Sequence, residues 1–182
     1  MPSININYLD QLKEDYTKYP NFIETGTFAG DTIFAVEPYF ENLYTIELSK
    51  ELHQSTSLKY TGNKISFIQG DSSLKLLELL PNIQGKSIIY LDGHYSCGGT
   101  ARGKKDCPLY EELESIMKLH HDNCIVIIDD ARLFEYKSEI DWSEINREKI
   151  LDITEARTSS FNFLPSELHH EDRMVLYLNE AG

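Results

Sequence analysis

The chain has 182 residues, enough for one domain with a sizeable core of its own. It carries 30 acidic against 17 basic residues, a formal net charge of −13 that repels phosphate backbones and disfavours nucleic acid as a partner. No apolar run approaches the ~20 residues that span a bilayer, so no membrane partner is expected.

The opening stretch, Met1 to Tyr19, holds Asp10, Glu14 and Asp15 and lacks the basic start and apolar centre of a secretory signal. A cytoplasmic location is the expectation, and Cys97, Cys107 and Cys124 are then expected as free thiols. A first helix is predicted from Ile6 to Thr17. Strands are predicted at Asn21 to Glu24, Asn42 to Ile46, Ile65 to Gln69, Ser87 to Leu91 and Cys124 to Ile128. Two more are placed at Ile153 to Arg157 and Met174 to Leu178. Helices lie between them. One starts at Ser49 and carries Leu52 toward Leu58, and one follows the Asp71-Ser72-Ser73 capping cluster. A third follows Pro108, with Leu109, Leu113, Ile116 and Met117 at helical spacing.

No repeat or Pro/Ser-rich linker divides residues 1–182, which are read as a single domain. Alternating strands and helices predict an α/β fold, a mostly parallel seven-stranded Rossmann-like sheet with helices on both faces. Ligands of such sheets bind beyond the carboxyl ends of the strands, and this chain places its polar residues there. After the first strand comes Thr25-Gly26-Thr27-Phe28-Ala29-Gly30-Asp31-Thr32. Phe28 and Asp31 stand where a dinucleotide fingerprint needs its second and third glycines, so NAD is disfavoured. The second strand ends in Glu47, where a carboxylate can accept both hydroxyls of a ribose. The third ends before Asp71 and Ser72. The fourth and fifth end in Asp92-Gly93-His94-Tyr95 and Asp129-Asp130. Adjacent parallel strands lie ~4.8 Å apart, so Asp92, Asp129 and Asp130 can converge on one point. Without a counterion they would repel, and a hard divalent cation such as Mg²⁺ resolves the conflict.

Glu24-x-Gly26-x-x-x-Gly30-x-Thr32 resembles the first motif of class I S-adenosylmethionine-dependent methyltransferases. The resemblance implies cofactor contacts from Glu24, Thr25, Gly26, Thr27, Gly30 and Thr32, with Glu24 near the cationic amino-acid portion. It also implies Glu47 at the ribose, Asp71 and Ser72 at the adenine, and Asp92 beside them. Leu91-Asp92-Gly93-x-Tyr95 followed by Asp129-Asp130 resembles the metal-dependent sugar O-methyltransferases of the macrocin O-methyltransferase type. That likeness implies Asp92, Asp129 and Asp130 as Mg²⁺ ligands that hold a substrate diol, with Asp92 and His94 as catalytic residues. His94 stands where those enzymes often have a second acid. There it can take the hydroxyl proton, ligate the metal or hold the loop.

Between Tyr95 and Pro108, three glycines accompany Arg102, Lys104 and Lys105. Tyr95 and these cations are candidate substrate contacts, in a lid that meets an anionic group or in a solvated loop. His120-His121 and His169-His170 read as surface, Trp142 as an anchor, and Tyr136, Phe161 and Phe163 as core or, alternatively, as lining of a substrate pocket. The acceptor implied is a small molecule or glycan, with a catechol-like phenol left open. The chain is short beside the sugar enzymes, so substrate contacts come from loops or from a second copy in a homo-oligomer. Two other readings remain: a metal-independent methyltransferase whose aspartates serve structure, and a non-catalytic Rossmann-like nucleotide-binding module.

Overall fold

The continuous apolar runs build the centre of a seven-stranded sheet. In the computed structural model, which describes residues 4–182, the strands are β1 (Asn21–Thr25), β2 (Asn42–Glu47), β3 (Ile65–Gln69) and β4 (Ser87–Leu91). They continue with β5 (Cys124–Ile128), β6 (Thr158–Leu164) and β7 (Arg173–Leu178). Their spatial order is β3-β2-β1-β4-β5-β7-β6. The first five run parallel, and β7 is antiparallel to both β5 and β6. Every residue of β1, β4 and β5 is buried, as expected for parallel strands covered on both faces.

The period-two pattern sorts the core into two layers. Ile89, Leu91, Val126 and Ile128 pack on one side with Leu76 of α4 (Ser72–Leu79), Leu113 and Ile116 of α5 (Leu109–Leu119) and Ile150 of α6 (Arg147–Thr154). Ile88, Tyr90, Ile125 and Ile127 pack on the other with Leu9 of α1 (Ile6–Leu9) and Ile33 and Val36 of α2 (Asp31–Val36). Each fully buried Leu or Ile of this kind contributes about 1.5–3 kcal/mol. The remaining helix, α3 (Lys50–Ser57), lies against β2 and β3. The expected caps form: Ser49 Oγ accepts from Leu52 N at 3.2 Å, and Asp71 Oδ1 from Ser73 N at 3.0 Å.

Two elements differ from the sequence expectation. The opening helix is a single turn, Ile6–Leu9, because Asp15 accepts from Thr17 N and starts a separate 3₁₀ turn at Tyr16–Lys18. Residues 153–157 are not a strand. Asn146 caps Lys149 N and starts α6, whose Ile150 and Thr154 share a buried helical face, so β6 begins only at Thr158. There the β-branched residues follow a helical period set by the cap. Among the described residues, no helix is long and apolar enough to cross a membrane.

Strand register fixes where the polar residues emerge. Thr25 is level with Ile46 and Leu91, Glu47 with Gln69, and Leu91 with Ile128. The next residues of the central strands, Gly26, Asp92 and Asp129, therefore leave the sheet side by side. The order reverses between β1 and β4, which is the switch point where such sheets bind ligands.

Candidate active site

A pocket opens over the carboxyl ends of β1 to β4. Gly26, Glu47, Asp71, Ser72 and Asp92 line it, together with His94 and Tyr95. Phe28, Ile46, Leu48 and Leu52 give it an apolar side. Glu47 is buried and aimed by two backbone donors, Phe28 N to Oε2 and Ser49 N to Oε1, both 2.8 Å. Each oxygen keeps a lone pair for a ligand hydroxyl. Phe28 takes a left-handed φ of 46° to bring its N–H to Glu47, one of two strained non-glycine residues that bear on the site.

The rest of the glycine loop builds the wall instead of facing the pocket. Glu24 is fully buried, and its Oε2 accepts from Thr45 Oγ1 at 2.7 Å, with Thr27 Oγ1 a further 2.6 Å along. Burial raises the Glu24 carboxyl well above the usual range, against the Thr45 hydrogen bond that favours its charged form. Thr25 Oγ1 lies 3.3 Å from Asp92 N, and Thr32 Oγ1 accepts from Ile4 N at 3.3 Å. Gly30 begins α2 in the left-handed conformation. None of Glu24, Thr25, Thr27, Gly30 and Thr32 lines the pocket. Gly26 does, and a Cβ there would stand 2.2 Å from the Asp92 carbonyl oxygen, so its missing side chain permits the close approach of β1 and β4.

At the far end of the pocket lies a charged network. Asp92 is the half-open member. Its Oδ1 is 3.6 Å from His94 Nδ1, and its Oδ2 is 3.2 Å from the Tyr90 hydroxyl, which donates to Asp129 Oδ2. His94 Nε2 bonds Asp130 Oδ2 at 2.8 Å, and the Trp142 edge packs the imidazole at 4.8 Å between ring centroids. Asp130 reaches His94 from a left-handed φ of 55°. Burial raises Asp92 to about 8 against the pull of His94, and the charges of Asp129 and Asp130 add to the rise. Burial works against a charged His94, but the Asp130 hydrogen bond and the Asp92 carboxylate outweigh it and raise the imidazole. Asp130 goes the other way, its burial outweighed by His94 and Arg132. A proton can thus sit on Asp92 or on the His94–Asp130 pair at near-neutral pH.

The predicted metal triad does not assemble as expected. The carboxylates that do converge are Asp129, Asp130 and Asp172, with Asp92 outside that group. Asp129 Oδ1 accepts from Arg173 Nε at 3.1 Å, and its Oδ2 takes the Tyr90 hydroxyl. Asp130 bonds His94 through one oxygen and Arg132 through the other. Both Asp172 oxygens lie 2.7 Å from Arg132 Nη1. Mg²⁺ needs near-octahedral oxygen donors, and the carboxylates that would supply them already hold the guanidinium cations of Arg132 and Arg173, which repel an entering ion. The donor set does not fit the ion.

The loop after Tyr95 is tied to itself. Tyr95 N donates to Asp106 O at 2.7 Å, and Arg102 pairs with Asp106 through Nε and Nη2 at 2.6 and 2.9 Å while stacking on Tyr95. Arg102 therefore does not line the pocket, whereas Tyr95, Lys104 and Lys105 do, with Lys105 paired to Glu111. The sequence reading missed Tyr90, Arg132, Asp172 and Arg173. It also missed Glu112, buried beneath Gly93 and raised to about 7 by that burial, against nearby hydroxyls of Ser72 and Thr25. The signal available was Asp172-Arg173, a charged pair heading an apolar strand. Tyr136 and Phe161 are exposed rather than core, and His120 is fully buried rather than surface.

No family model matches the chain, and no curated protein matches it. Solved structures do. The N-methyltransferase NodS from Bradyrhizobium japonicum superposes with a TM-score of 0.55 at 14% identity, over 88% of this chain and 86% of NodS. NodS in complex with S-adenosyl-L-homocysteine gives 0.53 at 12%, over 89% and 78%. The mitomycin 7-O-methyltransferase MmcR gives 0.56 at 15%, over 92% of this chain and 51% of MmcR. A chain of a fibrillarin/Nop5p complex gives 0.59 at 14%, over 95% and 78%. The chain has the Rossmann-like fold that these methyltransferases share.

Proposed function

We propose that the chain is an S-adenosylmethionine-dependent methyltransferase acting on an acceptor hydroxyl, with Asp92 as the base. One observation carries the reading: a single pocket joins the oriented Glu47 carboxylate and Asp71 to the Asp92–His94–Asp130 network. Glu47 would hold the ribose, Asp71 and Ser72 the adenine edge, and Leu48 and Leu52 the apolar base face. When bound, the cofactor supplies a methyl group made electrophilic by its sulfonium.

The protein's own part is placement and proton removal. The acceptor oxygen loses its proton to Asp92 as the O–CH₃ bond forms and the S–CH₃ bond breaks. His94, poised at Nδ1 and backed by Asp130, stabilises the charge on Asp92 before transfer. Trp142 keeps the imidazole in that plane, which lowers the reorganisation needed at reaction. The acceptor class is a sugar or glycan-type hydroxyl, on the resemblance of Leu91-Asp92-Gly93-x-Tyr95, with Tyr95 and Lys104 meeting it at the mouth. Calorimetric titration with S-adenosylhomocysteine tests the cofactor, followed by an acceptor screen that reads methyl transfer. Micromolar binding supports the reading. Absence of binding by a folded sample, with Glu47→Ala behaving like wild type, would sink it.

A further inference from the structure

We infer that Arg132 and Arg173 are the resident cations of the acidic cluster and occupy the electrostatic place of a divalent metal. The inference concerns the same site as the proposed function but rests on the cluster's donors alone. Asp129, Asp130 and Asp172 each offer an oxygen within 4.8 Å of the others. Three carboxylates so close cannot all stay ionised without compensation. The chain provides it from two directions. Arg132 follows Asp130 by two residues, on the 3₁₀ turn Ala131–Leu133, and bridges Asp130 to Asp172. Arg173 opens β7, whose antiparallel pairing sets Met174 opposite Ile128 and so brings Arg173 to Asp129.

Both guanidinium groups are held from behind. Arg173 lies over the Tyr8 ring at 4.9 Å and also donates to Pro165 O at 3.3 Å. Asp172, which grips Arg132, is fully buried and accepts from the Ser166 hydroxyl. Tyr90 fills the remaining gap, its hydroxyl standing between Asp129 and Asp92. Three carboxylates thus meet two permanent cations and the His94 imidazole. A divalent ion entering here would break charge-assisted hydrogen bonds and add two charges to a compensated, buried cluster. A guanidinium has the further advantage of fixing carboxylate planes. Arg132 and Arg173 are positioning residues: they orient Asp129 and Asp130, which in turn set Tyr90 and His94 against Asp92.

The test is Mn²⁺ binding followed by electron paramagnetic resonance on wild-type protein and on an Arg132→Met/Arg173→Met double variant. Wild type should show no saturable Mn²⁺ binding up to about 5 mM, and excess chelator should leave S-adenosylhomocysteine binding unchanged. The double variant, stripped of its cations, should bind Mn²⁺ at least tenfold more tightly, and Asp129→Asn added to it should remove that gain. Saturable sub-millimolar binding to wild type that Asp129→Asn abolishes would overturn the inference. Should the double variant fail to fold, the wild-type titration alone decides. Arg173→Lys adds a readout of positioning: keeping the charge but losing the planar fork, it should shift the pH–rate profile while cofactor affinity holds. An unmoved profile would count against the positioning role. Because metal binding is read without turnover, this result stands or falls separately from the methyltransferase reading.

Discussion

Two buried histidines sit at opposite ends of β5, and their contrast shows what decides whether a buried imidazole can hold a charge. His94, beyond the carboxyl ends of β4 and β5, has carboxylates at both ring nitrogens, Asp130 at 2.8 Å and Asp92 at 3.6 Å. His120 caps the C-terminus of α5, just before β5 begins, and is completely buried. Neither of its nitrogens has a hydrogen-bond partner among the described residues, and the Arg157 guanidinium donates to its carbonyl oxygen. Burial penalises the charged form of both. At His94 the carboxylates reverse that penalty and raise the imidazole. At His120, burial and then Arg157 act together and lower it to about 4. Partners decide the outcome, not depth.

The contrast breaks most sharply at Asp92. Asp92→Asn removes the proposed base while keeping its shape, and kcat should fall by about 10²–10⁴, the usual worth of a general base. S-adenosylhomocysteine affinity, read by calorimetry, should change far less. The same reasoning gives a pH sign. Asp92 lies at about 8, and only its ionised form accepts a proton, so turnover should climb as pH rises from about 7 to about 9. A profile flat across that range would remove Asp92 from the role. His94→Leu and His120→Leu sharpen the comparison as a matched pair. The first should cost turnover about 10–100-fold, and the second should leave turnover unchanged.

The strand ends were legible in the sequence because apolar runs declare themselves. Ile65–Gln69, Ser87–Leu91 and Cys124–Ile128 form where predicted, so Asp71, Asp92, Asp129 and Asp130 had to emerge at the sheet's carboxyl edge. What those carboxylates bind was not legible. Arg173 reaches Asp129 only because β7 inserts antiparallel beside β5, a pairing that local pattern does not encode. Tyr90 reads as one more apolar strand residue, and its hydroxyl matters only once Asp92 and Asp129 stand on either side. A count of carboxylates without those partners leads to a metal. His120 was misread because its sequence neighbours His121, Asp122 and Asn123 are polar, while α5 turns it inward.

The next effect is on stability. An unfolded His120 takes up a proton near pH 6.5, whereas the folded one resists until about 4. Between those values the unfolded state binds more protons, so stability falls as pH drops from about 6.5 toward 4. The loss reaches roughly 3 kcal/mol at the acid end. Urea unfolding of wild type and His120→Leu, compared at pH 7 and pH 4.5, isolates this share from that of the carboxylates. The variant should gain on wild type by about 2 kcal/mol over the interval. A constant difference would show that folded His120 takes up its proton as readily as the unfolded residue does.

Glu47→Ala comes next, expected to weaken S-adenosylhomocysteine binding by about 1–3 kcal/mol through lost charge-assisted hydrogen bonds. The smallest effect carries the same lesson to the surface. Arg102 and Lys104 are neighbours in one loop, but Arg102 is engaged by Asp106 on two atoms, whereas among the described residues no carboxylate pairs with Lys104 at the pocket mouth. An exposed pair is worth at most about 1 kcal/mol. Lys104→Ala should therefore raise the KM of an anionic acceptor by no more than about fivefold, leave that of a neutral one alone, and lose its effect in high salt. Arg102→Ala should instead loosen the Tyr95–Asp106 loop and change KM for both acceptors alike. Equal behaviour of the two variants would mean that Arg102 leaves Asp106 for the acceptor, and that an existing partner does not fix a charge's role in this loop.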